Sequence, residues 1–175
     1  NLNLLAMVQW KMADYARAEV SCTRSLSILT NVLGPDHPIV GQSLNTLGLV
    51  YQGQERYAEA LGVLKPNLPL LEKALGPDHL HVSLNLKIMG LVCYNMGKYE
   101  EAQTYLQRNR VIYEKIMGPE SPPTATTLNN LGLIEAARGN LGVAEGYFTR
   151  CLEIMTKVAG RDHPEVANAM HCLLY

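Results

Sequence analysis

At 175 residues, with 15 lysines and arginines against 16 aspartates and glutamates, the chain is long enough to bury a core and too nearly neutral to be drawn as a whole to nucleic acid or an anionic membrane. No stretch of eighteen apolar residues offers a membrane span, residue 1 opens no secretory leader, and Cys22, Cys93, Cys151 and Cys172 stand at no metal-binding spacing. The expectation is a soluble, cytoplasmic protein with reduced core thiols and neither metal nor cofactor.

Residues 1–33 read as a partial first repeat, in which Leu2, Leu5, Ala6, Tyr15 and Ala18 hold positions that return later in the chain. The second repeat, 34–75, opens with "GPDHP" and joins two apolar patterns of helical period through "GQER" at 53–56. Its second helix contains Pro66 and Pro69, and a proline there removes an N–H and crowds the carbonyl four residues back, so a kink or break is expected near Leu64–Leu70. The third repeat, 76–117, opens with "GPDHL"; a helix A is expected from about His81 to Asn95, a turn at "MGKY", and a helix B from about Tyr99 to Met117. The fourth, 118–159, opens with "GPESP" and turns at "RGNL"; "GRDHP" then begins residues 160–175, expected as helix A of a further repeat.

The opening glycines Gly34, Gly76, Gly118 and Gly160 are each 42 residues apart, and a strict period of that length marks a repeat protein. Leu44, Leu86 and Leu128 align under it, as do Leu47, Met89 and Leu131, the glycines Gly48, Gly90 and Gly132, and the alanines Ala60, Ala102 and Ala144. Small residues such as Gly90 and Ala102 let the two helices of one hairpin approach closely. A lone hairpin cannot bury both its faces, so the hairpins must stack into one all-α solenoid domain over 1–175.

The recurring link could be a site or punctuation. Gly suits the left-handed residue that ends a helix, the first Pro cannot continue it, Asp offers an oxygen to the next helix, and the second Pro fits its first turn. Copies one repeat apart should lie about 10 Å from each other, too far to share a metal, and the third copy holds Glu120 and Ser121 in place of Asp and His. His81 and His171 have no second ligand at useful spacing. Helix stop and start is the better reading, and no catalytic residue is assigned.

The segments "LNTLGLVY", "LNNLGLI", "GKYEEA" and "CLEIMTKVAG", with the "GPDHP" link at a 42-residue period, resemble the tetratricopeptide repeats of kinesin light chains. The resemblance implies a right-handed superhelix of stacked antiparallel helix pairs, and a non-enzymatic scaffold that binds an extended peptide along a groove of A helices. In that family the second Asn of the helix A motif and a polar residue four positions earlier hold the peptide backbone. Here the first column holds Thr46, Ile88 and Asn130 and the second holds Gln42, Leu84 and Thr126, so Asn130 alone matches fully. The family's helix B arginine, which faces acidic peptides, falls on Leu71, Tyr113 and Met155.

Helical spacing nominates a groove independently. Away from the packed columns, helix A collects Asn3, Met7, Trp10 and Lys11, then Gln42, Asn45, Leu49 and Gln52. The face continues through Leu84, Lys87, Leu91, Tyr94 and Asn95, then Thr126, Asn129, Asn130, Leu133 and Ala136. Amides can donate to and accept from a peptide backbone whatever its sequence, while Leu49, Leu91, Leu133, Trp10 and Tyr94 suit apolar side chains. The alternative is self-association or an autoinhibitory, regulatory role within a larger protein. Both ends of the chain fall inside repeats, so end helices that stack on another copy are also expected.

Overall fold

The computed structural model describes residues 2–159, and every described element is helical. The A helices are α1 (Leu2–Lys11), α3 (Pro38–Gly53), α5 (Leu80–Asn95) and α7 (Pro122–Ala137); the B helices are α2 (Tyr15–Leu33), α4 (Tyr57–Leu75), α6 (Tyr99–Met117) and α8 (Leu141–Ala159). The helix bounds return every 42 residues, and α6 begins and ends where the sequence places it. Asn1, the "GRDHP" link, the helix expected over 160–175 and Cys172 lie outside the described residues.

Each A helix packs on its own B helix, and each B helix packs on the A helix that follows. Successive A helices also pack on one another, with no comparable packing between successive B helices among the described residues, so the A helices occupy the tighter side of the stack. The intrahairpin seam depends on missing side chains. A Cβ added at Gly48, Gly90 or Gly132 would meet Leu64, Leu106 or Phe148 at 2.7, 2.6 or 2.5 Å, well inside van der Waals contact. The seam between hairpins is apolar: Leu47 and Val50 of α3 join Ala18 and Cys22 of α2, and Met89 and Val92 of α5 join Ala60, Leu61 and Leu64 of α4. Cys22 belongs to this core, and burial, with Glu19 nearby, pushes its thiol up to about 11.

The links stop and start helices, though not with the division of labour expected. Gly34, Gly76 and Gly118 end the B helices at φ of 87°, 91° and 91°, where their N–H groups donate to Thr30, Glu72 and Glu114 carbonyls. The expected Asp cap is corrected: His37 accepts the Ile39 N–H of α3, and His79 accepts the His81 N–H of α5. Asp78 instead pairs with Lys115 on α6, and Glu120 with Lys157 on α8, which ties these two links to the B helices that follow them.

The break expected near Leu64–Leu70 is also corrected. Helix α4 runs unbroken from Tyr57 to Leu75 through both prolines. Pro66 and Pro69 lie on its exposed side, as do Gly62 and Lys65, whose carbonyls lose their partners, so water can reach those oxygens. Between the prolines, Asn67 is buried and donates to the Gly41 carbonyl at 2.9 Å, while Leu64 and Leu71 anchor the same face. Tertiary contacts on three successive turns outweigh the local preference to break.

Candidate functional site on the A helices

The expected binding residues separate into three groups. Asn45 leaves the set. It is 1% exposed, its Nδ2 donates to the His81 carbonyl at 3.0 Å, and its Oδ1 accepts from Asn67 Nδ2 at 3.0 Å and Asn85 Nδ2 at 2.8 Å. An amide buried and bonded in this way is out of reach of a ligand, and the expectation for Asn45 is corrected on that ground. A second buried polar contact, between Asn109, Ser83 and Thr127, occupies the equivalent place one repeat later.

Trp10, Leu49 and Tyr94 serve packing. The Trp10 indole N–H donates to the Leu49 carbonyl at 3.0 Å and its ring rests on the Ala18, Cys22 and Val50 cluster. Leu49 and Tyr94 lie against the central core, with the Tyr94 and Tyr99 rings 6.0 Å apart.

The remaining residues stay accessible. Asn3 and Gln42 meet in a cleft of about 520 Å³ between α1, α2 and α3, whose apolar wall is Leu2, Ile28, Leu29 and Ile39 and whose polar wall adds Ser25 and Ser43. The buried Oδ1 of Asn3 has no hydrogen-bond partner among the described residues. Lys87 and Thr126 meet in a second cleft of about 260 Å³ with Tyr113, Pro122 and Pro123. Burial pushes the Lys87 ammonium below the usual lysine range. The Thr126 hydroxyl donates to the Pro122 carbonyl at 3.1 Å, which leaves its own oxygen able to accept. Gln52, Leu91, Asn129, Asn130 and Leu133 are half-buried, and Asn95 is exposed at the end of α5. The Asn129 Oδ1, like that of Asn3, is buried without a partner among the described residues.

Sequence reasoning did not foresee Tyr113 as the wall beside Lys87, or Ile28 and Ile39 as the apolar wall of the larger cleft. Tyr113 occupies the helix B column where the resemblance places an arginine, and that column was the available signal. No group of three His, Cys, Asp or Glu side chains that could hold a metal occurs among the described residues, and no described helix is long and apolar enough to cross a membrane.

Stacked helical hairpins at a 42-residue period, with glycine seams, meet a family model for tetratricopeptide repeats over residues 1–65, 82–157 and 124–173. The chain belongs to the tetratricopeptide repeat family. No curated protein matches it. Among solved structures, this tetratricopeptide repeat chain is similar to two crystal structures of nearly identical TPR-like repeats of a kinesin light chain type from Podosopora anserina, one of them a single-residue variant. Each has a TM-score of 0.82 and 20% identity over 98% of this chain, and 81% and 82% of those chains are covered. It is also similar to BtubC (BKLC) from P. vanneervenii, with a TM-score of 0.86 and 19% identity over 98% of this chain and 68% of that one. At these identities the likeness is one of fold.

Proposed function

We propose that this tetratricopeptide repeat chain is a non-enzymatic scaffold that takes an extended peptide along its A helices, as the resemblance to kinesin light chains implies. The observation that carries the reading is the pair of clefts that Asn3 and Gln42, and Lys87 and Thr126, line between neighbouring repeats. Each combines half-buried polar groups with apolar walls, the mixture that holds a peptide backbone and one or two side chains. Gln42, Asn129 and Asn130 supply the backbone contacts, and Leu91 and Leu133 the apolar ones. Asn45 has no part in it.

A peptide selected from a displayed random library against the folded chain provides the probe. Gln42→Ala with Asn130→Ala, and separately Leu91→Ala with Leu133→Ala, are each expected to weaken that peptide by about tenfold or more while leaving the thermal midpoint nearly unchanged. Undiminished binding by both variants would overturn the reading. Lys87 is the principal charge among these residues, so affinity should fall by less than about tenfold between low and physiological salt.

The apolar outward face of α1 favours a second reading, self-association of the chain through that face. Leu4, Leu5, Val8 and Met12 are exposed, whereas Leu47, Val50, Met89 and Val92, which hold the Leu5 and Val8 positions in later repeats, are covered by the preceding hairpin. Light scattering of the wild type and of Leu4→Glu with Val8→Glu tests it: a dimer that the variant dissolves supports the second reading, and a wild-type monomer at high concentration discards it.

A further inference from the structure

Helices α3 and α5, which carry Gln42 and Lys87, begin on histidines. His37 Nδ1 accepts the Ile39 N–H at 3.2 Å, and His79 Nδ1 accepts the His81 N–H at 3.1 Å; both residues are extended, at φ −73° and −79°. Imidazole accepts through Nδ1 only while that nitrogen carries no proton, so the cap exists in the tautomer protonated at Nε2 and not in the imidazolium. A positive charge at this place is also opposed by the helix dipole. We propose that His37 and His79 form a pH-sensitive clasp that holds the first turns of α3 and α5 closed and releases them on proton uptake. Helix α7 begins at Ser121 without a side-chain cap and is an internal control.

Asp36 adjoins His37 in the link, while the α4 residues that share its small cavity, Asn67, Leu70 and Leu71, are uncharged. His79 has Asp78 beside it, but Asp78 is engaged by Lys115 of α6. On its own helix the His81 ring stacks on the His79 ring at 5.3 Å. Burial, and then His79, hold the His81 ring below the usual imidazole range. A depressed folded-state value means that its contribution to stability is present above the ordinary imidazole range and lost as pH falls, the same direction as loss of the caps. Release has a route inward, because the His81 carbonyl is the acceptor for Asn45, the centre of the buried amide cluster between the second and third repeats. The inference rests on the links alone and stands whether or not the A-helix clefts bind a peptide.

Hydrogen exchange resolved to single amides tests it in the wild-type chain between about pH 8 and pH 5. Protection of the Ile39 and His81 amides, corrected for intrinsic rate, should fall by about fivefold or more on acidification, the scale of one lost cap. Protection at Met89 in the core and at Thr124 in α7 should hold. In His37→Asn with His79→Asn the amide side chain caps at every pH, so the acid loss at those two positions should vanish. Flat protection in the wild type, or an equal acid loss in the double variant, would overturn the proposal.

Discussion

Four residues hold the same turn between helix A and helix B in successive repeats, and they show what a side chain costs there. Ala13, Glu55, Gly97 and Gly139 all lie at positive φ, at 58°, 60°, 72° and 83°. An L-residue in this region crowds its own carbonyl, at roughly 1–2 kcal/mol, and glycine escapes the penalty. Glu55 is exposed and its side chain makes no hydrogen bond or ion pair with a described residue, so the position bears strain without compensation. Glu55→Gly should therefore stabilise the chain by about 0.5–1 kcal/mol in urea denaturation, and Gly97→Ala should destabilise it by about 1 kcal/mol. Opposite signs at equivalent turns distinguish backbone strain from any general effect of composition. At the same scale, Asn45 and Lys87 occupy one column of helix A yet behave differently. Asn67 meets the first with an amide, whereas the second makes no hydrogen bond or ion pair among the described residues, so one turns inward and the other lies along a cleft.

Among the helices, α4 is held against its own sequence. Each proline removes a backbone hydrogen bond in a helix interior, an unfavourable change of roughly 3 kcal/mol relative to alanine before unfolded-state entropy offsets part of it. Leu64, Asn67 and Leu71 keep the helix in register because they are buried on the opposite side. Pro66→Ala and Pro69→Ala should each raise the thermal midpoint, measured by circular dichroism, with the first carbonyls restored being those of Gly62 and Lys65. A lowered midpoint would mean that the prolines serve the packing rather than oppose it. The glycine seam works in the other direction: nothing local asks for glycine at positions 48, 90 and 132, and the neighbouring helix excludes anything larger.

Across the whole molecule, repeats are joined by an apolar seam inside and by ion pairs outside. Lys65 with Glu101 at 3.3 Å and Arg108 with Glu72 at 2.6 Å each cross from one B helix to that of the next repeat, while Lys115 with Asp78 ties a link to the B helix of its own repeat. All are partly exposed, where such pairs contribute about 0–1 kcal/mol each and are screened by salt. Raising salt from about 0.05 to about 0.5 M should lower the denaturation midpoint only slightly. A large fall would show that the outer pairs, and not the buried seams, set the stacking of repeats.

How much of this was legible in the chain divides along a physical line. The period, the helix bounds, the glycine stops and the small-residue columns follow from local chemistry: spacing along one helix, allowed φ and turn preference act over a few residues and can be read from a string. The same reading located the A helices as the face that carries Asn3, Gln42, Lys87 and Thr126. It placed Asn45 among the ligands because helical spacing assigns a side chain to a sector of the helix without saying what stands opposite. Only the tertiary structure set Asn67 and Asn85 against that amide, put Tyr113 beside Lys87, passed the capping role from Asp to His, and kept α4 whole through two prolines. Each of those outcomes depends on a partner from another helix or on the competition between local preference and distant packing, and neither is written in the order of residues along one segment.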